Sequence, residues 1–86
     1  MAERKVGEVV KYFVKPGVAA VKITDGEVGI GDTLKFTGHT TDVTMPLDSI
    51  EVNNQKVLRA AAGDYVGIKV VDRVRPGDEV FKITAD

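Results

Sequence analysis

Few side chains in this 86-residue chain are suited to bond-making chemistry, and they are scattered. There is no cysteine, which removes thiol nucleophiles, thiolate metal ligands and disulfides. The one histidine, His39, lies in TGHTTD and has no second histidine or cysteine with which to share a metal. The one serine, Ser49, lacks the Gly-x-Ser-x-Gly elbow that would expose it beside a base. Neither a P-loop nor a Gly-x-Gly-x-x-Gly turn is present to cradle a nucleotide phosphate. Asp78 and Glu79 are adjacent carboxylates, but on a strand they point to opposite faces and cannot act as an acid/base pair. These residues lead to the expectation of a protein that is not an enzyme and uses no cofactor, metal or nucleotide.

Three groups of residues are better suited to binding. SIEVNNQ, Ser49 to Gln55, contains every Asn and Gln of the chain. Asn53 and Asn54 tolerate left-handed backbone, so a turn after the strand is one reading. The other is a polar contact edge made of Glu51, Asn53, Asn54 and Gln55, with Arg59 nearby. Lys11, Lys15 and Lys22 form a second group, expected on one side of the first hairpin as phosphate contacts; such binding would weaken with salt. Tyr65 and Val71 form a third, apolar group, expected on the wet face of one strand as a protein-docking point.

The elements that position these groups read as strands. Apolar clusters are short, β-branched and closed by Gly, Pro or Asp, as in VGEVVKYFV, VAAVKI, DTLKF, TDVTMP, LDSIEV, KVL, DYVGIKVV and EVFKI. Ala19, Val21 and Ile23 share one face with Lys22 opposite, and Val66, Ile68 and Val70 alternate with Lys69 in the same way. Such alternation belongs to antiparallel sheet with one dry and one wet face. KPG and TDG read as turns. Gly-Asp recurs before a strand at Gly31–Asp32, Gly63–Asp64 and Gly77–Asp78, where Gly supplies positive φ and Asp bonds nearby N–H groups. The spacing is wrong for a calcium loop. The expected fold is all-β, a small closed antiparallel β-barrel of Greek-key type. Residues 1–5 are expected to be a flexible lead-in and residues 6–84 a single domain.

Composition sets further bounds. Net charge is −1, but residues 1–22 carry five basic groups against two acidic ones, and residues 23–51 carry one against six. A nucleic-acid contact would therefore need a local patch, because the domain as a whole is not basic. No apolar run approaches the roughly 20 residues of a membrane span, and MAERKVGEVV has no apolar signal core, so a cytoplasmic location is expected. Scarce Asn, Gln and Met among many charges hint at a thermophile.

In chain order, VGEVVKYFVKPGVAAV, VGIGDTLKF, DSIEVNNQ, AAAGDYVGIKV and VRPGDEVFK resemble the second domain of the translational GTPases. That family includes elongation factor Tu, elongation factor one-alpha and initiation factor two. GHTTD and the first strand look most like stand-alone translation elongation factor-like small proteins and the C-terminal barrel of collagenase-like peptidases. The resemblance implies a β-barrel that contacts ribosomal RNA, transfer RNA or a translation factor, with Glu51, Asn53 and Asn54 on the edge that holds the aminoacyl end of transfer RNA. The expected function is thus a non-enzymatic, RNA-binding translation module with the ribosome or transfer RNA as partner. The alternative is an accessory subunit that docks on a separately encoded enzyme.

Overall fold

The structure is a computed structural model that describes residues 2–84. Among these residues it contains ten strands: β1 (Ala2–Phe13), β2 (Val18–Ile23), β3 (Glu27–Gly29), β4 (Thr33–Thr37), β5 (Asp42–Pro46), β6 (Ile50–Val52), β7 (Gln55–Val57), β8 (Arg59–Ala61), β9 (Tyr65–Lys69) and β10 (Glu79–Thr84). Every ladder is antiparallel. The all-β expectation holds. The lead-in expected to be flexible is strand from Ala2 onward, with Ala2 opposite Thr84; Met1 lies outside the described residues.

Alternation decides which side of each strand is dry. Ala19, Val21 and Ile23 of β2 are buried, as are Leu34 and Phe36 of β4 and Val66 and Ile68 of β9. With Val6, Val9, Leu47, Ile50, Val74 and Val80 they make one apolar cluster. Each large side chain fully removed from water contributes about 1.5–3 kcal/mol.

A sheet can enclose so small a core only by coiling, and β1 supplies the bend. Its register against β10 slips between Lys5 and Gly7, and its register against β2 slips between Val9 and Lys11. Such bulges sharpen the local twist. At the first bulge, β1 approaches β2 so closely that a Cβ on Gly7 would overlap the Lys22 carbonyl oxygen. Beside this bulge Lys5 Nζ bridges Glu79 (3.1 Å) and Glu8 (3.3 Å). Their hydrogen bonds, Glu79 first, hold the ammonium above the usual lysine range.

The three Gly-Asp pairs build one turn three times. The glycines have φ of +97°, +98° and +92°. The main-chain N–H of Asp32, Asp64 and Asp78 donates to the carbonyl three residues earlier, at 3.0–3.1 Å. Each aspartate's Oδ2 accepts the N–H of that same earlier residue: Gly29 (2.8 Å), Ala61 (2.9 Å) and Arg75 (2.8 Å). Positive φ at the third position is the type II arrangement that favours Gly. All three carboxylates are thus committed to turns.

The expected closure of the barrel does not occur. The main sheet runs β5-β4-β10-β1-β2-β9-β6-β7, with β5 and β7 as free edges, while β3 and β8 form a separate ribbon. Closure would need a strand beside β5. The chain that could supply one, 70–78, is bends and turn, interrupted by Pro76 and the Asp78 turn. Pro cannot donate to a ladder, and β5 itself ends in Pro46. A seam therefore stays open on one side of the coiled sheet.

Candidate functional site

The residues with catalytic potential do not converge. His39 is exposed in the four-residue loop between β4 and β5, and Ser49 lies beyond the opposite end of β5. Asp78 is buried but accepts the Arg75 N–H and packs against Gly38. Among the described residues no three His, Asp or Glu side chains gather where they could hold a metal.

The polar tip at the end of β6 is a turn. Asn53 and Asn54 have φ of +52° and +65° and join β6 to β7, the double left-handed geometry of a type I′ hairpin. Glu51 faces Lys56 across that hairpin, and Gln55 opens β7. Arg59 does not join them. It lies on the β3–β8 ribbon and donates to Glu27 Oε1 at 2.8 Å.

Tyr65 and Val71 are separated as well. Tyr65 begins β9, and Val71 lies beyond its far end, next to the seam. Six residues of extended chain put them roughly 20 Å apart. Both are well exposed, at 60% and 75%.

The lysines come closer to forming one site. Lys11 and Lys22 share the outer face of the β1–β2 hairpin, while Lys15 sits in its turn. Registers extend this face onto β9. One row across the strands reads Phe13, Val18, Lys69; the next Lys11, Ala20, Gly67, Glu51; the third Glu8, Lys22, Tyr65. The centre is flat because Ala20 and Gly67 are small. Two aromatic rings flank it, each beneath an ammonium: Lys11 Nζ is 5.0 Å from the Phe13 ring centre, and Lys22 Nζ is 5.6 Å from that of Tyr65. Lys11, Lys22 and Lys69 make no ion pair with any described residue, whereas Arg4, Lys5, Lys35, Arg59 and Lys82 all do. Exposed aromatic rings with unneutralised cations around a flat centre are suited to docking a protein surface that is apolar with an acidic rim. Phe13, Lys69 and the small centre were missed in sequence because only strand register brings them together.

Comparison with known proteins places this geometry in context. No protein-family profile matches the chain. A collagenase of Porphyromonas gingivalis is 38% identical over 78 residues, covering 90% of this chain and 22% of that protein. An uncharacterized protease of Methanocaldococcus jannaschii is 35% identical over 78 residues, covering 90% of this chain and 19% of that protein. The chain thus spans about a fifth of the length of the curated relatives it matches. In fold it is similar to the C-terminal domain of a Geobacillus thermoleovorans protein assigned to the U32 peptidases. That match has a TM-score of 0.86 and 21% identity over 94% of this chain and 93% of that one. GDP-bound aIF5B from Aeropyrum pernix matches at a TM-score of 0.63 and 15% identity, over 93% of this chain and 14% of that one.

These findings correct two expectations. The likeness to a translation factor is one of fold, and membership of the elongation factor Tu family is not shown by it. Relatives aligned along most of the chain carry protease names, which overturns the reading as an RNA-binding translation module. The same names overturn the expectation that the protein is not an enzyme: they point to a peptidase family, of which this chain covers only a small part. No helix of the described residues is long and apolar enough to cross a membrane.

Proposed function

We propose that this chain is the small β-domain of a collagenase-like peptidase and docks, through the outer face of β1, β2 and β9, on the catalytic body that such a peptidase requires. One observation carries the reading: 90% of the chain aligns with a protein named collagenase at 38% identity, yet fills only 22% of it. The remainder of such a protein is the natural partner of an exposed face. Lys11, Lys22 and Lys69 favour an acidic rim on that body, and Phe13 and Tyr65 favour apolar contacts inside it.

The test is co-purification of the chain with the body of a collagenase-like peptidase from the same source, across a salt series, with peptide hydrolysis measured in parallel. The expected result is a complex that weakens as salt rises and is lost in a Lys22→Glu, Tyr65→Ser double variant. A body that neither binds the wild-type chain nor changes its hydrolysis in its presence would sink the reading.

A further inference from the structure

Two clefts lie along β5, of about 310 and 430 Å³. Val43 of β5 faces Arg73 and Arg75 across the first, and Met45 faces Val70 and Val71 across the second. Together they make a groove with β5 as one wall and 69–75 as the other.

The β5 wall offers unused main-chain groups. Gly38 N donates to Thr41 O (3.0 Å) at one end of the β4–β5 ladder, and Leu47 N donates to Asp32 O (2.8 Å) at the other. Between these pairs the register places Val43 opposite Phe36 and Met45 opposite Leu34. Antiparallel pairs alternate between bonded and non-bonded. Val43 and Met45 therefore bond to β4, and Asp42 and Thr44 turn their N–H and C=O groups away from β4, toward the open side of the strand. Pro46 occupies the next outward position, where a missing N–H costs no ladder bond. With β4 as its single strand partner, β5 leaves these groups without a sheet partner.

The opposite wall adds charge and an apolar surface. Arg75 Nε donates to Thr40 Oγ1 at 3.0 Å, which fixes its guanidinium across one end of the groove. Arg73 and Arg75 form no ion pair with a described residue. Asp72, in the same cleft, accepts the Arg73 main-chain N–H instead (2.7 Å). Val71 is 75% exposed beside the second cleft.

We propose that this groove binds an extended polypeptide segment as an added strand on β5. The segment pairs with Asp42 and Thr44, lays an apolar side chain against Met45, Val70 and Val71, and ends in a carboxylate at Arg73 and Arg75. The choice of a polypeptide ligand rests on the peptidase reading above; the groove itself does not depend on the docking face.

The probe is a short synthetic peptide alternating valine and threonine with a free C-terminal carboxylate, followed by NMR and amide exchange. Saturable binding with new protection at the Asp42 and Thr44 amides is the expected result. Thr44→Pro removes the outward donor and leaves the β4 ladder intact, and it should weaken binding about tenfold, the effect of losing one or two hydrogen bonds. Tyr65→Ser should leave peptide binding unchanged. Protection at β7 or on the outer face, equal affinity for Thr44→Pro, or no saturable binding would each overturn the proposal. Should Thr44→Pro fail to fold, wild-type exchange alone decides. A wild-type chain that binds the peptide but does not dock on the catalytic body fails the docking reading alone, and one that docks but binds no peptide fails the groove alone.

Discussion

Ile23 and Asp64 are locked together at the end of the β2–β9 ladder: Ile23 N donates to Asp64 O at 2.9 Å, and Gly63 N returns a bond to Ile23 O at 2.8 Å. The same exchange joins Val9 to the Gly77–Asp78 turn and Leu47 to the Gly31–Asp32 turn. Each Gly-Asp turn thus clamps a buried apolar residue on another segment, and one local motif carries three long-range registers.

Asp78 should be the most sensitive of the three clamps. It is buried and its carboxylate accepts Arg75 N–H at 2.8 Å, whereas Asp64 is only half-buried. Asp78→Ala leaves the part-buried Arg75 N–H unpaired and removes the carboxylate packed against Gly38, and a loss of about 1–3 kcal/mol is expected. Asp64→Ala should lose less. Denaturant unfolding of both variants checks the order, and equal losses would contradict it.

Two glycines should fail for opposite reasons. Gly7 has no room for a Cβ against Lys22, whereas Gly31 has nothing within 4 Å but a φ of +97°. Gly7→Ala is expected to cost about 1–3 kcal/mol or more by overpacking, and Gly31→Ala about 1–2 kcal/mol by strain. D-alanine installed by chemical synthesis takes positive φ without strain and should relieve the cost at position 31, which denaturant unfolding would show.

At the β6–β7 hairpin, replacement of Asn54 by Gly keeps the positive φ without steric cost and should be neutral or mildly stabilising. Asn53→Val puts a β-branched residue at φ +52° and should cost roughly 1–2 kcal/mol. Thermal unfolding distinguishes the two. Neither variant should alter docking, since neither removes a lysine or an aromatic ring of the outer face.

Lys22→Glu and Tyr65→Ser remove the two halves of one cation–aromatic pair on an exposed face. Stability should stay within about 1 kcal/mol of wild type for each. Docking on the catalytic body should fall in both, and only Lys22→Glu should flatten its salt dependence. A stability loss as large as that of Asp78→Ala would recast Tyr65 as a structural residue.

Much of this architecture is legible in the sequence where the controlling physics is local. Alternation in VAAVKI and DTLKF assigns inner and outer faces, and Asn-Asn marks its own turn. The β3–β8 ribbon was invisible because EVG and RAA are too short to show a period. The open seam was missed because closure depends on whether 70–78 pairs with β5, which no short window reveals. The outer face was half-seen: Lys11 and Lys22 were singled out in one group and Tyr65 in another, and the Lys22–Tyr65 pairing exists only through the β2–β9 register. Arg73 and Arg75 went unnoticed, since nothing in VDRVRPGD points to a cleft.

The pairing of Ala2 with Thr84 has a mechanical consequence. The two ends of the domain emerge side by side, at one end of the β1–β10 ladder. A pull that separates whatever is joined to them loads that ladder one bond at a time, like a zipper, and does not shear all its bonds together. Strung between two moving bodies the domain would yield early, whereas hung from a single body by either end it carries no such load.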